Sequence, residues 1–277
     1  MRARLTVRSI ATAVLLAVFA AAPRAQAPPH RAQYDTVLDL FVRDGLVYYR
    51  ALKAERAKLD GFVSSLADVP ANSMSADEQL AFWLNAYNAL VLRTVIDHYP
   101  IAQRTSQYPA HSLRQVPGAF ESLTHRVAGR SLTLDQIEQT VLAGFKDPRV
   151  FLALGRGSIG GGRLRSEAFE GSRIDAQLKE VAEECVTRTQ CVDIERDQNK
   201  VLASAIFSWR SKEFIASYAS NSPTPFAERS PIERAILAFV DPKLLGTERE
   251  FLEKDQFQVA FRPYDWTLND LTGRGGR

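Results

Sequence analysis

Two asparagines, Asn85 and Asn88, lie one helical turn apart in an otherwise mainly apolar stretch from Phe82 to Leu90. A buried amide must find hydrogen-bond partners, because leaving it unpaired costs free energy. These side chains could line a pocket as donors to a ligand, or they could bind the backbone of a neighbouring loop. We expect the second arrangement, which is common in protein cores, and keep both residues as binding candidates.

A glycine-rich stretch follows the apolar segment from Val150 to Leu154, and its glycines at 155, 157 and 160 match the spacing of a dinucleotide-binding loop. Such a loop is followed at once by a helix, whereas the segment from Gly161 to Arg163 intervenes here. The Lys-Ser/Thr pair of a phosphate-binding Walker A loop is also missing. We therefore expect a tight backbone turn after a buried strand over Val150 to Leu154.

The first 27 residues differ from the rest of the chain in charge. They contain four arginines and no acidic residue, so that 31 of the 35 basic residues and all 32 acidic residues lie beyond them. This nearly neutral remainder has no basic run interleaved with aromatic residues, which disfavours a nucleic-acid partner. A basic start, an apolar stretch from Ile10 to Ala22 and the small-residue end Ala25-Gln-Ala27 predict a signal peptide over residues 1–27.

That signal predicts an exported protein, periplasmic or secreted. Its apolar stretch is too short to span a bilayer comfortably, so we expect no stable membrane insertion after its removal.

Cys185 and Cys191 are the two cysteines of the chain. A thiol pair in an oxidising compartment is usually a disulfide, and the four histidines are too scattered to complete a metal site. The sequence thus predicts a Cys185–Cys191 disulfide, no metal and no cofactor.

Several elements are predicted from local patterns. Ser75 and Glu78 form a capping box for a mostly apolar, central helix that Tyr99-Pro100 ends. The segment from His125 to Leu132 has the pattern of a hairpin turning at Gly129, and Thr133 caps the helix that follows. Further helices are predicted after Ile174 and Ile232, and further strands over Val192 to Glu195 and Phe257 to Phe261.

Helices and strands interleave without a regular repeat, which predicts an α+β fold. We expect one mixed globular domain over residues 34–277, after a polar linker at residues 28–33, with helices packed on a central, mainly antiparallel sheet. Tyr264, Asp265 and Trp266 follow the last predicted strand. We expect them to hold the C-terminal segment against the core, Trp266 by burial and Asp265 by accepting from backbone amides, and Tyr264 is also a binding candidate.

Seven segments, in order along the chain, resemble a known family, domain of unknown function family 547, and together they run from about Tyr34 to Leu271. The segments are Ala81-Phe-Trp-Leu-Asn-Ala-Tyr-Asn-Ala-Leu90, Leu132-Thr-Leu-Asp-Gln-Ile-Glu138, Asp147-Pro-Arg-Val150, Leu164-Arg-Ser-Glu-Ala-Phe169, Ile174-Asp-Ala-Gln-Leu178, Ile206-Phe-Ser-Trp209 and Pro263-Tyr-Asp-Trp-Thr-Leu-Asn269. Members of that family carry a His after the Ile-Glu pair and a Cys-Ala-Ser segment, followed by a Cys-Pro. The resemblance implies a Cys–His arrangement like that of papain-like enzymes, and hence a papain- or transglutaminase-like fold as one candidate.

This chain departs from the family at those positions. Gln139 stands in place of the His, Arg156 in place of the Cys, and Gly161-Gly162 in place of the Cys-Pro. Ser158 and Glu138 are retained. The resemblance therefore implies a degenerate thiol site in which Gln139 faces Arg156.

We expect an exported binding protein and assign no catalytic residue. Arg156 would place a permanent cation in the former site, suited to the carboxylate or phosphate of a small anionic or peptide-like ligand, and Arg163 is a further binding candidate. One alternative is a hydrolase or transferase that acts on amide or thioester bonds through Ser158 or Glu138. A second alternative is a structural or scaffolding protein, which becomes the better interpretation if Gln139, Arg156 and Ser158 do not meet in one cleft. No pattern indicates an oligomeric state.

Overall fold

A computed structural model of the chain describes residues 29–272. The helices are α1 (Pro29–Phe41), α2 (Tyr49–Ala54), α3 (Ala57–Ser65), α4 (Ala76–His98), α5 (Leu134–Gln136), α6 (Arg149–Leu152), α7 (Ile174–Thr187), α8 (Ala205–Trp209), α9 (Ser211–Tyr218), α10 (Pro231–Val240) and α11 (Gly246–Glu253), and a π-helical turn covers Ile137–Leu142. The strands are β1 (Val42–Arg43), β2 (Leu46–Val47), β3 (Thr124–Val127), β4 (Arg130–Thr133), β5 (Val192–Glu195), β6 (Lys200–Ser204) and β7 (Gln258–Arg262).

The start of the described chain is helical. Residues 29–33, which the sequence predicts as part of a polar linker, form the first turns of α1. The signal peptide predicted over residues 1–27 lies outside the described residues. Helices and small sheets alternate along the chain, so the α+β class is confirmed.

The strands form three small sheets in the described part of the chain instead of the expected central, mainly antiparallel sheet. β1 pairs with β2, and β3 pairs with β4, each as an isolated antiparallel hairpin. The third sheet has the order β5-β6-β7, with β5 antiparallel and β7 parallel to β6. A helix takes the central position instead.

That central helix is α4, and it begins as predicted. The Ser75 hydroxyl accepts from the backbone N–H of Glu78, and the Glu78 carboxylate accepts from the N–H of Ser75 at 3.1 Å. Apolar residues surround most of the helix, which packs against α2, α3, α7 and the π-helical turn. It ends at Tyr99, because the following proline cannot continue a helix.

Two other local predictions are confirmed and one is wrong. Ala128 and Gly129 both have positive φ values, 50° and 74°, as a two-residue hairpin turn between β3 and β4 requires. Cys185 and Cys191 are bonded, and the disulfide ties the end of α7 to the start of β5. The segment predicted as a buried strand from Val150 is instead the short helix α6, buried as expected. A short apolar run is equally compatible with a buried strand and a buried helix.

Within residues 29–272, every helix is too short or too polar to cross a bilayer. In the same range, no three His, Cys, Asp or Glu side chains are grouped closely enough to hold a metal ion.

Candidate functional site

A buried ion pair joins Arg156, which stands where the family resemblance places a Cys, to Glu138, the residue before Gln139. Arg156 is 2% exposed and Glu138 is 6% exposed. The guanidinium is bidentate: Nε donates to Oε2 of Glu138 at 3.1 Å, and Nη2 donates to Oε1 at 2.7 Å. The remaining terminal nitrogen, Nη1, donates to the backbone carbonyls of Phe151 and Leu154 at 3.2 and 3.3 Å. Arg156 is therefore fully engaged by the protein itself.

A second arginine completes the cluster. Arg210, also buried, donates from Nη2 to Oε1 of Glu138 at 2.7 Å and lies over the ring of Phe151, 4.0 Å from its centroid. Its other terminal nitrogen lies 3.5 Å from the carboxylate of Glu213. The Tyr87 hydroxyl of α4 donates to Oε2 of Glu138 at 3.2 Å. Two arginines thus face two carboxylates, and the cluster has no net charge with which to attract an anion.

Local backbone geometry brings Glu138 and Arg156 together. Glu138 lies in the π-helical turn Ile137–Leu142, and it points inward while its neighbour Gln139 is exposed. π-Helical turns are rare and often occur where a side chain must be placed for a special role. Arg156 has a φ of 48° and Gly157 a φ of 63°. This left-handed pair reverses the chain after α6 and turns the Arg156 side chain into the core.

Glu138 and Arg156 both stay charged at physiological pH. Burial by itself would raise the pKa of Glu138, but the charge and hydrogen bonds of Arg156 and Arg210 outweigh it and lower that pKa to about 2. Burial likewise opposes the charge on Arg156, and the carboxylate of Glu138 more than compensates, so the pKa of Arg156 is raised. Glu138 is therefore an acceptor at any physiological pH and too weak a base to take a proton from a substrate.

The sequence-based site needs correction at two positions. Gln139 does not face Arg156, because it is exposed on the surface while Arg156 points into the core. The partner of Arg156 is the preceding residue, Glu138. Arg156 is also not a cation open to a ligand, since its donors bind a carboxylate and two carbonyls. Gln139, Arg156 and Ser158 accordingly do not line one cleft.

Ser158 bonds a tyrosine. Its Oγ lies 2.8 Å from the hydroxyl of Tyr264, either of which could be the donor. Burial raises the pKa of Tyr264, so the phenol stays protonated and is not a base. The Nδ1 atoms of His98 and His111 are bound to the carbonyls of Thr94 and Ile101 respectively. With a tyrosine in place of an imidazole, Ser158 lacks the partner that activates a serine nucleophile.

The paired asparagines hold loops, as expected. Asn85 donates to the carbonyl of Phe169 and accepts from its N–H, both at 2.8 Å. Asn88 donates to the carbonyl of Ala153 at 3.1 Å and accepts from the N–H of Gly155 at 3.0 Å. Each amide thus replaces a backbone partner and fixes a loop to α4.

The glycine-rich loop is a close-packed turn. A Cβ at Gly162 would lie 1.7 Å from the carbonyl oxygen of Leu152, and one at Gly161 would lie 2.3 Å from that of Gly155. At Gly160 it would lie 2.7 Å from the backbone nitrogen of Asp265. Two backbone hydrogen bonds join the loop to the C-terminal segment. The N–H of Gly160 donates to the carbonyl of Asp265 at 2.8 Å, and the N–H of Ile159 donates to the carbonyl of Thr267 at 2.9 Å. The Asp265 carboxylate is exposed and accepts from the N–H of Thr267, two residues further on. The segment is therefore held to the loop by its backbone, and not by the Asp265 side chain as expected.

A groove opens to solvent beside this loop. We define the groove as two adjoining parts that share Gly160, Gln190 and Ser204. The first part is walled by the disulfide, and the second by the residues that follow β7. Its charged and polar side chains are Arg163, Glu184, Arg188, Gln190, Ser204, Arg262, Tyr264 and Asp265.

The arginines of the groove differ in how they are paired. Arg163 bridges Glu184 and Asp44, at 2.6 and 2.9 Å. Arg262 donates to Asp193 at 2.7 Å. Arg188, half-buried in the loop that the disulfide closes, makes no side-chain hydrogen bond or ion pair with the described residues. It is therefore a cation available to a ligand.

Sequence reasoning placed Arg163 and Tyr264 at this site but missed Arg188, Arg210 and Trp209. A local signal existed for Arg188, because a charged residue inside a short disulfide loop is held near the surface. No comparable signal existed for Arg210, whose partner Glu138 lies far away along the chain.

A protein-family model described as "Protein of unknown function, DUF547" matches residues 71–186. This range runs from before α4 to the end of α7, so it contains Glu138, Arg156 and one cysteine of the disulfide. The last two segments on which the sequence resemblance rests, and with them Arg210 and Tyr264, lie outside the matched range. No curated protein and no solved structure matches the chain.

Proposed function

Residues 71–186 belong to the DUF547 family, and from this premise we propose that the protein binds a small anionic or peptide-like ligand in the groove. Because Gln139, Arg156 and Ser158 do not meet in one cleft, the degenerate-site argument for binding no longer holds and a scaffolding role is the alternative. The proposal keeps the ligand class that the sequence suggests but rests on the groove. Arg156 stands where the family resemblance places a thiol, and its guanidinium is bound by Glu138. The ligand would bind in the adjacent groove.

The observation that carries this proposal is Arg188. It projects from the disulfide-closed loop into the groove without a protein partner among residues 29–272. An arginine offers a planar pair of donors that matches a carboxylate or a phosphate. Gln190 and Ser204 line the same groove and could complete the polar contacts that orient a small ligand.

Two further parts of the proposal rest on the sequence. We infer that the protein is exported, from the basic start and apolar stretch of residues 1–27. We also infer that the site derives from a thiol enzyme, with a papain- or transglutaminase-like relation, because Arg156 and Gln139 stand where the family has Cys and His. The helix-centred architecture supports only the broader α+β class.

The hydrolase alternative has less support. Ser158 is 4% exposed and bonded to a tyrosine, and Glu138 is held by two arginines. Neither group is placed to attack or deprotonate a substrate.

The proposal is tested by calorimetric titration of the mature protein with acetyl-diglycine, which presents a peptide carboxylate, and with inorganic phosphate. We expect binding of at least one probe, weakened about tenfold by Arg188→Gln, the loss of one charge-assisted contact. Arg196→Gln is the matched control, because Arg196 is exposed and outside the groove. Equal affinities of the two variants would contradict the proposal.

Stoichiometric labelling by a fluorophosphonate that Ser158→Ala abolishes would instead support the hydrolase. The absence of both binding and labelling would support a scaffolding role.

A further inference from the structure

Three aromatic side chains form a continuous cluster at one end of the groove. We call Trp209, Tyr264 and Trp266 the aromatic platform. The ring centroids of Trp209 and Tyr264 are 4.8 Å apart, and those of Tyr264 and Trp266 are 4.4 Å apart. Trp209 and Trp266 are nearly parallel, at 23° and 6.2 Å. Trp209 is 48% exposed, which is unusual for a residue of this size.

The platform is rigidly supported from behind. Trp209 ends α8, whose Ala205, Ile206 and Phe207 are buried. Its neighbour Arg210 is anchored to Glu138 in the core. Trp266 packs on Phe120 at 5.7 Å, and the guanidinium of Arg114 lies 4.5 Å from the ring centroids of both. The exposed ring face is therefore preorganised, so that a ligand need not order it on binding.

Polar side chains border the platform on the groove side. Tyr264 belongs to both the platform and the groove, where Arg262, Asp265 and Gln190 surround it. The exposed ring face of Trp209, next to the polar side chains around Tyr264, is complementary to a pyranose ring, which has an apolar C–H face and a rim of hydroxyl groups.

A protein partner would require a different surface. Specific protein interfaces bury a broad, contiguous area. The other exposed large apolar residues in the described part of the chain are Leu40, Tyr48, Leu123, Leu245 and Phe261. Of these, Leu123 lies three residues after Phe120, which contacts Trp266, and Phe261 lies three residues before Tyr264. We take a sugar ring as the occupant because mainly polar and charged side chains, and not further apolar ones, line the adjoining groove.

The charge beside the platform selects the kind of sugar. Arg188 and Arg262 line the groove that begins at Tyr264, and Arg188 has no protein partner in residues 29–272. We propose that the platform and the groove together bind an acidic oligosaccharide, with one sugar ring stacked on the exposed face of Trp209 and the carboxylate of a further sugar unit directed along the groove to Arg188. This inference rests on the proposed function for its carboxylate half and adds the ring-stacking half.

The test compares three probes on the mature protein: trigalacturonate, an acidic saccharide; maltotriose, a neutral one; and acetyl-diglycine, a carboxylate without a sugar. Affinities are measured by calorimetry, and stacking is followed as a change in tryptophan fluorescence. We expect trigalacturonate to bind at least about tenfold more tightly than either other probe, since it makes both kinds of contact. Trp209→Ala should remove this advantage and leave the affinity for acetyl-diglycine unchanged. Tyr48→Ala, an exposed aromatic residue outside the platform, is the control and should change neither affinity.

The outcomes separate the two proposals. If acetyl-diglycine binds through Arg188 but trigalacturonate gains nothing, or if Trp209→Ala behaves like Tyr48→Ala, the saccharide inference is overturned and the proposed function stands. Maltotriose binding as tightly as trigalacturonate also overturns it. If neither acidic probe binds but inorganic phosphate does, the saccharide inference fails and the proposed function stands. If inorganic phosphate does not bind either, both proposals fail. Circular dichroism of each variant confirms that a lost affinity reflects a lost contact and not a lost fold.

Discussion

At the scale of single residues, the ion pair of Glu138 with Arg156 and Arg210 is the most consequential feature. Desolvating three charges is costly, and their mutual attraction compensates only while every partner is present. The cluster is therefore a vulnerable part of the core more than a source of extra stability. Its function here is positional, because it fixes the loop that ends at the groove and the helix end that carries Trp209.

Replacing Glu138 by Gln tests this account. The variant leaves two buried guanidiniums facing an amide, so we expect the free energy of unfolding to fall by about 3–5 kcal/mol. Gln139→Ala is the control, since Gln139 is exposed, and we expect a change within about 0.5 kcal/mol. Urea denaturation followed by circular dichroism measures both. Similar losses in the two variants would be inconsistent with the inward position of Glu138.

The same carboxylate predicts an acid-sensitive stability. The pKa of Glu138 is lowered to about 2 in the folded protein, against about 4.3 in an unfolded chain. Because the folded value is the lower one, the stabilisation is fully present above the unfolded pKa and is lost as the pH falls from about 5 to about 2. We expect a loss of about 3 kcal/mol over this window. Denaturation at a series of pH values should show this slope in the wild type and a shallower slope in Glu138→Gln.

At the scale of elements, the glycine-rich loop after α6 is shaped by close backbone contacts. Its glycines pass directly against carbonyl groups and the C-terminal segment, so that no side chain fits. Any side chain at position 161 or 162 would therefore require this backbone to move.

We expect Gly162→Ala to be severely destabilising, by more than about 3 kcal/mol, because the new methyl group would overlap the Leu152 carbonyl. Gly144→Ala is the matched control: no atom lies within 4 Å of its added Cβ. That substitution should be neutral or stabilise by up to about 1 kcal/mol. Thermal unfolding of both purified variants, together with their soluble yields, gives the comparison. A Gly162→Ala protein as stable as Gly144→Ala would show that the loop is not packed as described.

The disulfide between α7 and β5 also acts on an element. It closes a short loop that carries Arg188 and Gln190 into the groove. We expect Cys185→Ala with Cys191→Ala to lower the free energy of unfolding by about 2 kcal/mol, through the larger conformational freedom of the unfolded chain. The double variant should also bind acetyl-diglycine more weakly, because Arg188 is then less well ordered. Denaturation and titration of the wild type with and without reductant provide the check: reductant should reproduce the variant and have no effect on it.

At the scale of the whole molecule, the groove joins two parts of the chain. Its glycine loop and one cysteine lie within the residues that match the family, and its other wall comes from β5, β6 and the segment after β7. Arg210 connects the two parts through the core by its bond to Glu138. A ligand in the groove would therefore contact both the residues that match the family model and the sheet that follows them.

Export is also a property of the whole chain. We expect the mature protein to begin between about Pro23 and His30, because the small residues at 25–27 suit a signal peptidase. The intact mass of protein secreted from a bacterial host measures this directly. Finding Met1 retained on a cytoplasmic protein would contradict the assignment.

Features that depend on neighbouring residues could be predicted from the sequence. The capping box before α4, the hairpin turn at Gly129 and the Cys185–Cys191 bridge are confirmed, since each involves groups only a few residues apart. Burial also predicted that Asn85 and Asn88 need hydrogen-bond partners, and it favoured backbone ones without excluding a ligand.

Which residues form the site depends on tertiary contacts and could not be predicted. A step of one residue along a helix rotates a side chain by about 100°, so Glu138 points into the core while Gln139 faces solvent, and motif alignment alone could not choose between them. The sequence identified Arg156 as a site residue. Its burial in an ion pair with Glu138, which the distant Arg210 also binds, depends on the packing of three segments of the chain. Partners brought together from distant positions leave no local pattern. For that reason the occupied arginine site, the groove beside it and the aromatic platform were visible only once the chain was folded.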